Sequence, residues 1–329
     1  MLKFAIIGAG RIGGVHARAV AGHPAGELAL VADPVGDAAA RLAAGYGAAS
    51  TTDVADVFAS DVDAVIVGSP TPFHVDQIIA AVEAGKAVLA EKPVDLDLAR
   101  ADECVAAVGD RADRVMLGFN RRFDPGFAEV RARIDAGEIG EVEQLTIISR
   151  DPAAPPAQYL TNSGGIFRDM TIHDLDMARF LLGDIVEVTA VGQNFAEDIK
   201  EIGDFDGAVL TLRGANGGVA TIINSRHCAT GYDQRVEAFG PRGSLRAENH
   251  TATRVQFFGA EVSGASGPYL NFFLERYTEA YAAELDHFIT SIEAGKAPSP
   301  SLWDGREALA LADAATRSAH SGGTPVTLG

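Results

Sequence analysis

The chain has 329 residues and 47% hydrophobic content, so it is long enough to form one large domain or two ordinary domains with buried cores. Its 45 acidic residues outnumber its 27 basic ones and give a formal charge of −18, which repels nucleic-acid phosphates and anionic membranes. We therefore expect a small neutral ligand, and neither nucleic acid nor a membrane as a partner.

The cysteines and the N-terminus indicate a cytoplasmic protein. Cys104 and Cys228 lie far apart without a CxxC or zinc spacing, so neither a disulfide framework nor a metal site is expected. The first residues lead directly into a glycine turn without the apolar length of a signal peptide. No apolar run approaches the roughly 20 residues of a membrane span.

Residues 2–118 alternate short β-branched runs with longer Ala-rich runs, the pattern typical of βα units on a doubly wound parallel sheet. Strands are predicted at 3–8, 28–33, 63–69, 86–92 and 114–119, and helices at 14–21, 35–44, 75–84 and 98–108. Open parallel sheets bind ligands at the carboxyl ends of their strands, so the residues that follow each strand are candidates for a site.

Beyond residue 119 the pattern changes. A helix at 127–136, a strand at 142–149 and a Pro-rich loop at 151–158 precede a helix at 168–182. Strand-like runs then follow one another directly, which indicates antiparallel pairing in an α+β domain with a large, mostly antiparallel sheet. These runs lie at 186–194, 207–213, 219–225, 234–240 and 253–259, and closing helices are predicted at 275–293 and 304–319. We predict a dinucleotide-binding domain at 1–119 and a substrate-binding and oligomerisation domain at 120–329.

Gly8, Gly10 and Gly13 form a GxGxxG motif between the first strand and the first helix, the setting in which this pattern indicates dinucleotide binding. The glycines permit the tight turn, the approach of the pyrophosphate and the packing of the helix. Asp33 follows the second strand, where a carboxylate accepts hydrogen bonds from ribose hydroxyls and repels a 2′-phosphate, so NAD is predicted over NADP. The alternative for the glycine motif is a simple tight turn, and the alternative for Asp33 is a turn residue before Pro34.

Three residues are candidates for the chemistry. Lys92 lies at the carboxyl end of the strand predicted at 86–92, within Glu91-Lys92-Pro93, where an ammonium stabilises a developing alkoxide. Asp169 and His173 are one helical turn apart, so the carboxylate can orient the imidazole as a general base. The alternative for Lys92 is a solvated surface lysine, and the alternative for His173 is a structural histidine. A metal site at His173, Asp174 and Asp176 is a weaker alternative, because no second histidine lies nearby.

Together these motifs resemble the Gfo/Idh/MocA oxidoreductases over essentially the whole chain. The broad family shares the glycine motif at 8–13 and Glu91-Lys92-Pro93, and the segment 69–74 is a further part of the resemblance. Segments 118–125, 164–181 and 231–240 resemble its inositol-oxidising branch. The loop at 151–158 departs from a typical member, since its Pro and Ala residues leave few polar groups.

The resemblance implies a Rossmann domain, a C-terminal sheet domain and a homotetramer. The family's catalytic set falls on Lys92, Asp169 and His173. Cofactor contacts fall on Gly8, Gly10, Arg11, Ile12, Gly13, Asp33, Ser69, Thr71, Pro72, His74, Glu91 and Lys92, although His74 is equally well placed to begin a helix. Substrate contacts fall on Lys92, Arg122, Asp151, Asp169, His173 and Tyr232, with surface, capping or exposed-aromatic roles as alternatives for Arg122, Asp151 and Tyr232.

The resulting prediction is NAD-dependent oxidation of a ring secondary alcohol, foremost C2 of myo-inositol. His173 takes the hydroxyl proton, Asp169 orients His173, and Lys92 stabilises the oxyanion. Two alternatives stay open, which are a dehydrogenase of another cyclic polyol or sugar and a regulator that binds the dinucleotide without catalysis.

Overall fold

The chain forms two compact units in a computed structural model, which describes residues 1–328. The first unit comprises Met1–Phe123 and Glu279–Leu309. The second comprises Asp124–Thr278 and the described residues from Ala310 onward. The sequence-based division at 119/120 stays a prediction of where cofactor and substrate bind, and Gly329, at its end, lies outside the described residues.

A six-stranded parallel sheet forms the centre of the first unit and confirms the predicted Rossmann architecture. Its order is β3-β2-β1-β4-β5-β6, with β1 Leu2–Ile7, β2 Gly26–Ala32, β3 Ala49–Thr51, β4 Ala64–Val67, β5 Ala87–Glu91 and β6 Val115–Gly118. The sequence analysis missed β3, because its three residues are exposed or half-buried and show no β-branched apolar run.

A seven-stranded sheet forms the second unit and confirms the predicted α+β class. Its order is β12-β11-β7-β10-β9-β8-β15, with β7 Gln144–Arg150, β8 Ile185–Gln193, β9 Gly207–Gly214, β10 Val219–Ser225, β11 Asp233–Gly240, β12 Gly243–Ala247 and β15 Val326–Thr327. The pair β7 and β10 is parallel, whereas the other pairs are antiparallel.

The strand-like run predicted at 253–259 lies outside this sheet, which corrects the sequence analysis. Only Gln256–Phe257 is a strand, β13, and it pairs with β14, Ala265–Ser266, in a separate two-stranded ribbon. Both residues of β13 are exposed, so the run lacks the buried face that a strand of the large sheet presents to the core.

The helices alternate with the strands of the first sheet and flank the second. They are α1 Arg11–Gly22, α2 Gly36–Ala44, α3 Ala55–Ala59, α4 His74–Glu83, α5 Leu98–Val108, α6 Pro125–Asp135, α7 Ala157–Leu160, α8 Ile172–Leu182, α9 Glu197–Glu201, α10 Phe273–Arg276, α11 Thr278–Glu293 and α12 Leu302–His320. Within residues 1–328, no helix is both long and apolar enough to cross a membrane.

The core of the first unit explains why a late segment of the chain belongs to it. Leu285, Phe288 and Ile289 of α11 lie in the same buried cluster as Phe4 and Ile6 of β1. Their spacing places them on one helical face, which α11 buries against the nucleotide-binding sheet. The sequence pattern identified this helix but not the sheet against which it packs.

Candidate active site

The predicted cofactor residues follow neighbouring strands of the first unit. Gly8 follows β1, Asp33 follows β2, Ser69 lies just beyond β4 and Lys92 follows β5. The four strands are adjacent and parallel in the order β2-β1-β4-β5, so their carboxyl ends share one edge of the sheet. The structure therefore brings the glycine turn, Asp33 and Lys92 to the edge where open parallel sheets bind ligands.

The glycine turn fits a dinucleotide. Gly8 has a φ of +102°, and a Cβ there would lie 2.5 Å from the carbonyl oxygen of Gly68. A Cβ on Gly13 would lie 2.0 Å from the carbonyl oxygen of Gly8. At Gly10, by contrast, no atom lies within 4 Å of the Cβ position, which leaves space beside the backbone for a pyrophosphate. Helix α1 begins immediately after Gly10 with Arg11 and Ile12, and its N-terminal end favours an anion.

Asp33 is part of the turn itself. Its Oδ2 accepts a hydrogen bond from the backbone N–H of Ala9 at 2.7 Å, and its Oδ1 accepts one from the N–H of Val35 at 2.8 Å. Each carboxylate oxygen has a second lone pair for a ribose hydroxyl. The turn role and the ribose role of Asp33 are therefore compatible, and the ribose contact stays a prediction.

The segment after β4 is held by side-chain hydrogen bonds. The Ser69 hydroxyl donates to Oε1 of Gln77 at 2.6 Å, and Thr71 and Pro72 begin a short 3₁₀ turn. His74 begins α4 and is buried, with its ring nitrogens 2.8 Å from the carbonyl oxygens of Ser69 and Pro93. His74 thus ties this segment to the turn that carries Lys92, while its contact with the cofactor stays a prediction.

Glu91 is fixed from inside the first unit. Its Oε1 lies 2.7 Å from Nε2 of His16 on α1, and both side chains are buried. The His16 ring also packs edge-on against Tyr281 of α11, with 5.7 Å between ring centroids. The sequence analysis missed His16, because a single histidine on an apolar helix face carries no signal of its partner.

Glu284 is a second buried acid, one helical turn beyond Tyr281. Its side chain is completely buried, and neither carboxyl oxygen has a hydrogen-bond partner among the described residues. Burial, followed by the nearby Glu91 carboxylate, raises the pKa of Glu284 well above its usual value. Burial therefore favours the neutral, protonated form of Glu284 in the folded protein.

Lys92 directly follows β5 and is half-buried. Arg122 also lies in the first unit, where its Nη2 is 3.2 Å from Oδ1 of Asp304. Burial opposes ionisation of Asp304, but Arg122 and Ser301 together hold the pKa of Asp304 below its usual value. Arg122 is thus anchored by an ion pair, and its contact with substrate stays a prediction.

Two of the predicted substrate contacts, Asp151 and Tyr232, lie at one end of the second sheet. Asp151 follows β7, Arg226 follows the parallel neighbour β10, and Tyr232 precedes β11. The pairings Arg150 with Ser225 and Arg150 with Asp233 place the three at the same end of the sheet. Tyr232 is buried, with its ring 5.9 Å from that of Tyr277 in an edge-on arrangement, so it is not the exposed aromatic that the sequence left open.

Asp169 is held by two donors within the second unit. The Tyr159 hydroxyl donates to its Oδ1 at 2.9 Å, and Nη1 of the buried Arg226 donates to its Oδ2 at 3.2 Å. The sequence analysis missed Arg226. Its only signal was a cation directly after an apolar strand, which does not reveal a partner distant in sequence.

The helix that carries Asp169 and His173 differs from the prediction. A π-helical turn, Phe167–Thr171, precedes α8, so the predicted continuous helix at 168–182 is corrected. The Thr171 hydroxyl bonds to Oδ1 of Asn224 at 2.6 Å, which ties this wider turn to β10. Asp169 lies in the π-helical turn and His173 in the first turn of α8, and the orientation of His173 by Asp169 stays a prediction.

Asp174 has a structural role beneath this helix. Its Oδ1 accepts from the Ser149 hydroxyl at 2.6 Å, and its Oδ2 accepts from Nδ2 of Asn224 at 2.8 Å. Asp176 is likewise buried. Across residues 1–328, no group of three His, Cys, Asp or Glu side chains is arranged to hold a metal ion.

The candidate catalytic residues thus lie in both units. Lys92 lies at the cofactor edge of the first unit, whereas Asp169 and His173 lie in the second unit, which also contains Asp151 and Tyr232. Their convergence on one substrate, and their individual roles, stay predictions.

Comparison with known proteins finds a family match for each of two long segments of the chain. Residues 2–119 match the oxidoreductase family with an NAD-binding Rossmann fold, and residues 127–246 match the GFO/IDH/MocA C-terminal domain. An inositol 2-dehydrogenase from Rhizobium meliloti is 49% identical over 320 residues, which span 96% of each chain.

Solved structures show the same relationship. A myo-inositol dehydrogenase from Corynebacterium glutamicum is 52% identical, with a TM-score of 0.97 over 100% of this chain and 99% of that one. A scyllo-inositol dehydrogenase from Lactobacillus casei, with bound NAD(H) and scyllo-inositol, is 29% identical with a TM-score of 0.91 over 99% of both chains.

The glycine turn and these similarities define an NAD-dependent oxidoreductase that acts on a CH–OH group. The chain belongs to the Gfo/Idh/MocA family.

Glu284→Gln is expected to stabilise the protein increasingly as pH rises. The raised pKa of Glu284 means that its favourable contribution to folding is present below its unfolded pKa, 4.5, and is lost above it. Relative to the variant, the native chain should lose about 1.4 kcal/mol per pH unit until Glu284 ionises in the folded state. Urea unfolding between pH 5 and pH 8 measures this, in steps of about one unit. Glu279→Gln, at an exposed position of the same helix, is the control, and a pH-independent difference for Glu284→Gln would contradict the neutral acid.

Asp33→Ser is expected to weaken the preference for NAD over NADP, because the variant lacks the carboxylate that repels a 2′-phosphate. The ratio of kcat/KM for the two cofactors measures this preference. Asp53→Ser, at an exposed position beyond β3, serves as the control. An unchanged ratio in Asp33→Ser would remove Asp33 from the ribose site.

Proposed function

We propose that the chain oxidises a secondary hydroxyl of a cyclic polyol with NAD⁺, and that the substrate is myo-inositol, which becomes 2-keto-myo-inositol (scyllo-inosose). The observation that carries this proposal is the full-length similarity to proteins named inositol dehydrogenases. The chain's own residues support it, since the cofactor edge carries Lys92 and the second unit carries Asp169 and His173. A formal charge of −18 also favours a neutral substrate over an anionic one.

Each proposed catalytic residue has one chemical task. His173 accepts the proton of the reacting hydroxyl, because a neutral imidazole is a suitable base near neutral pH. Asp169 orients the imidazole and stabilises its cationic form. Lys92 donates a hydrogen bond to the reacting oxygen and stabilises the alkoxide character that develops there. NAD⁺, when bound, supplies the acceptor for the carbinol hydride.

The remaining ring hydroxyls need donors and acceptors of fixed position. We assign these roles to Arg122 as a donor, Asp151 as an acceptor and Tyr232 as a donor or acceptor. Arg122 is anchored by Asp304, and Tyr232 packs against Tyr277, so both are restrained before substrate binds. Restrained groups lose less conformational entropy on binding and discriminate better among stereoisomers.

A screen of polyols with NAD⁺ tests the proposal through the growth of NADH absorbance. Turnover of myo-inositol with the highest kcat/KM supports it. Faster turnover of scyllo-inositol, chiro-inositol or an aldose supports the alternative of another polyol or sugar dehydrogenase, which the scyllo-inositol-bound relative favours. Dinucleotide binding without turnover of any polyol would identify a non-catalytic regulator.

We also propose a cytoplasmic homotetramer that functions in polyol catabolism. Four apolar residues form a row across the partly exposed face of the second sheet, which are Ile148, Ile223, Val209 and Val191 on adjacent strands. An apolar row of this kind supports face-to-face pairing of subunits. The free cysteines support a reducing compartment, and burial raises the pKa of Cys104 to about 12, which keeps that thiol unreactive.

Lys92→Ala is expected to lower kcat by about 100- to 1,000-fold, because removal of a single donor to a developing oxyanion costs this much. The Kd for NADH, measured by fluorescence, should change little. Lys86→Ala, at the residue that directly precedes β5, is the matched control and should retain turnover. Undiminished kcat in Lys92→Ala would remove Lys92 from the mechanism.

Val209→Glu is expected to dissociate the tetramer, because it places a charge in the middle of the apolar row. Light scattering coupled to size-exclusion chromatography measures the mass of the native and variant proteins. Thr211→Glu, two residues further along the same exposed side of β9, lies beside the row and should weaken the assembly less. A monomeric native protein would contradict the proposed tetramer.

A further inference from the structure

Arg226 lies between two carboxylates in the second unit. It follows β10 directly, and its side chain is 1% exposed. Nη1 donates to Oδ2 of Asp169 at 3.2 Å, and Nη2 is 3.4 Å from Oδ2 of Asp204. One guanidinium therefore joins a proposed catalytic carboxylate to an acid outside the proposed catalytic set.

Hydrogen bonds that involve the backbone hold both Asp204 and Arg226 in place. Oδ1 of Asp204 accepts a hydrogen bond from the N–H of Ile166 at 2.8 Å, just before the π-helical turn. The backbone N–H of Arg226 donates to the carbonyl oxygen of Asp206 at 2.7 Å. The guanidinium thus has little freedom to move away from Asp169, and its planar fork suits contact with two carboxylates.

The environment of Asp169 contains groups from several elements. Tyr159 of α7 and Arg226 donate to Asp169, while Asp204 contacts Arg226 from the segment before β9. Other titratable groups lie close in sequence: Asp206 follows Asp204 by two residues, His173 lies in the first turn of α8, and Arg168 directly precedes Asp169 and pairs with Asp313 of α12 at 2.6 Å. Asp169 therefore has a buried cation in direct contact, and Asp204 is an anion that shares this cation with it.

We propose that Arg226 is a positioning residue for the oxidation: it holds the Asp169 carboxylate in the correct orientation and balances its charge, and Asp204 moderates this effect by sharing the guanidinium. The inference rests on the proposed function, since Asp169 matters for turnover only if it acts on His173. Ionised Asp169 stabilises the imidazolium that forms when His173 takes the hydroxyl proton. Arg226 keeps that charge in place between turnovers.

Two substitutions with opposite electrostatic effects test this role in the full-length enzyme. Arg226→Gln removes the cation, whereas Asp204→Asn removes the competing anion and retains an oxygen for the N–H of Ile166. The acid limb of the kcat/KM profile should move to higher pH in Arg226→Gln and to lower pH in Asp204→Asn, each by about one unit. A residue that only stabilises the fold would not move the limb in opposite directions.

The size of the loss in kcat distinguishes the role of Arg226 in orienting Asp169 from its role as a positive charge. Arg226→Gln should lower kcat by about 10- to 100-fold with little change in the KM for NAD⁺, since the cofactor edge is untouched. Arg226→Lys keeps the charge but loses the planar fork, so it should restore the acid limb and only part of kcat. Equal losses in Arg226→Lys and Arg226→Gln, with the native acid limb in both, would overturn the proposal.

Two further measurements keep the proposal testable if Arg226→Gln fails to fold or if no polyol is oxidised. Tyr159→Phe removes the other donor to Asp169 at a mostly exposed position, and it should move the acid limb in the direction opposite to Asp204→Asn. Nuclear magnetic resonance of protein with ¹³C-labelled aspartate carboxyls needs no substrate. The resonance that Asp169→Asn deletes should take up its proton at lower pH in Asp204→Asn than in the native protein. An unmoved resonance would refute the role of Arg226, whereas an inactive native enzyme with a moved resonance would refute only the proposed function.

Discussion

The close approach of three backbone segments at the first glycine turn is the constraint on which the cofactor edge depends. Gly8 lies against the carbonyl of Gly68, and Gly13 lies against the carbonyl of Gly8. These contacts bring the ends of β1 and β4 together and leave α1 aimed at the edge that Lys92 shares. A side chain at Gly8 would separate the strand ends, and one at Gly13 would push α1 away from the turn, since protein interiors have no space for an added methyl group.

Buried charge is handled differently in the two units. In the first, Glu284 avoids the cost of burial by remaining neutral beside the Glu91 and His16 pair. In the second, the buried Arg226 guanidinium forms an ion pair with Asp169, in which each group compensates the charge of the other. A neutral acid carries little field toward the cofactor edge, whereas an ion pair holds a carboxylate in a fixed position. This difference between the two units agrees with the separate tasks proposed for Lys92, which donates to the reacting oxygen, and for Asp169, which orients His173.

The sequence predicts those features that depend on local pattern. The strand-end residues Gly8, Asp33 and Lys92 were predictable, because β-branched runs mark strands and the handed βα connection places their ends together. The π-helical turn at Phe167–Thr171 was not predictable, because it is tied to Asn224, more than fifty residues away. The contacts of His16 with Glu91 and of Arg226 with Asp169 are likewise set by tertiary structure. A periodic pattern identifies buried faces but not their partners.

The packing of α11 on the first sheet also affects how the chain folds during synthesis. Leu285, Phe288 and Ile289 complete the cluster that contains Phe4 and Ile6, so the nucleotide-binding core lacks part of its apolar surface until the ribosome has synthesised α11. N-terminal domains usually fold first as the chain emerges. Here the first sheet must wait for a helix that is synthesised long after its own strands, and its exposed apolar face is available to chaperones in the interval.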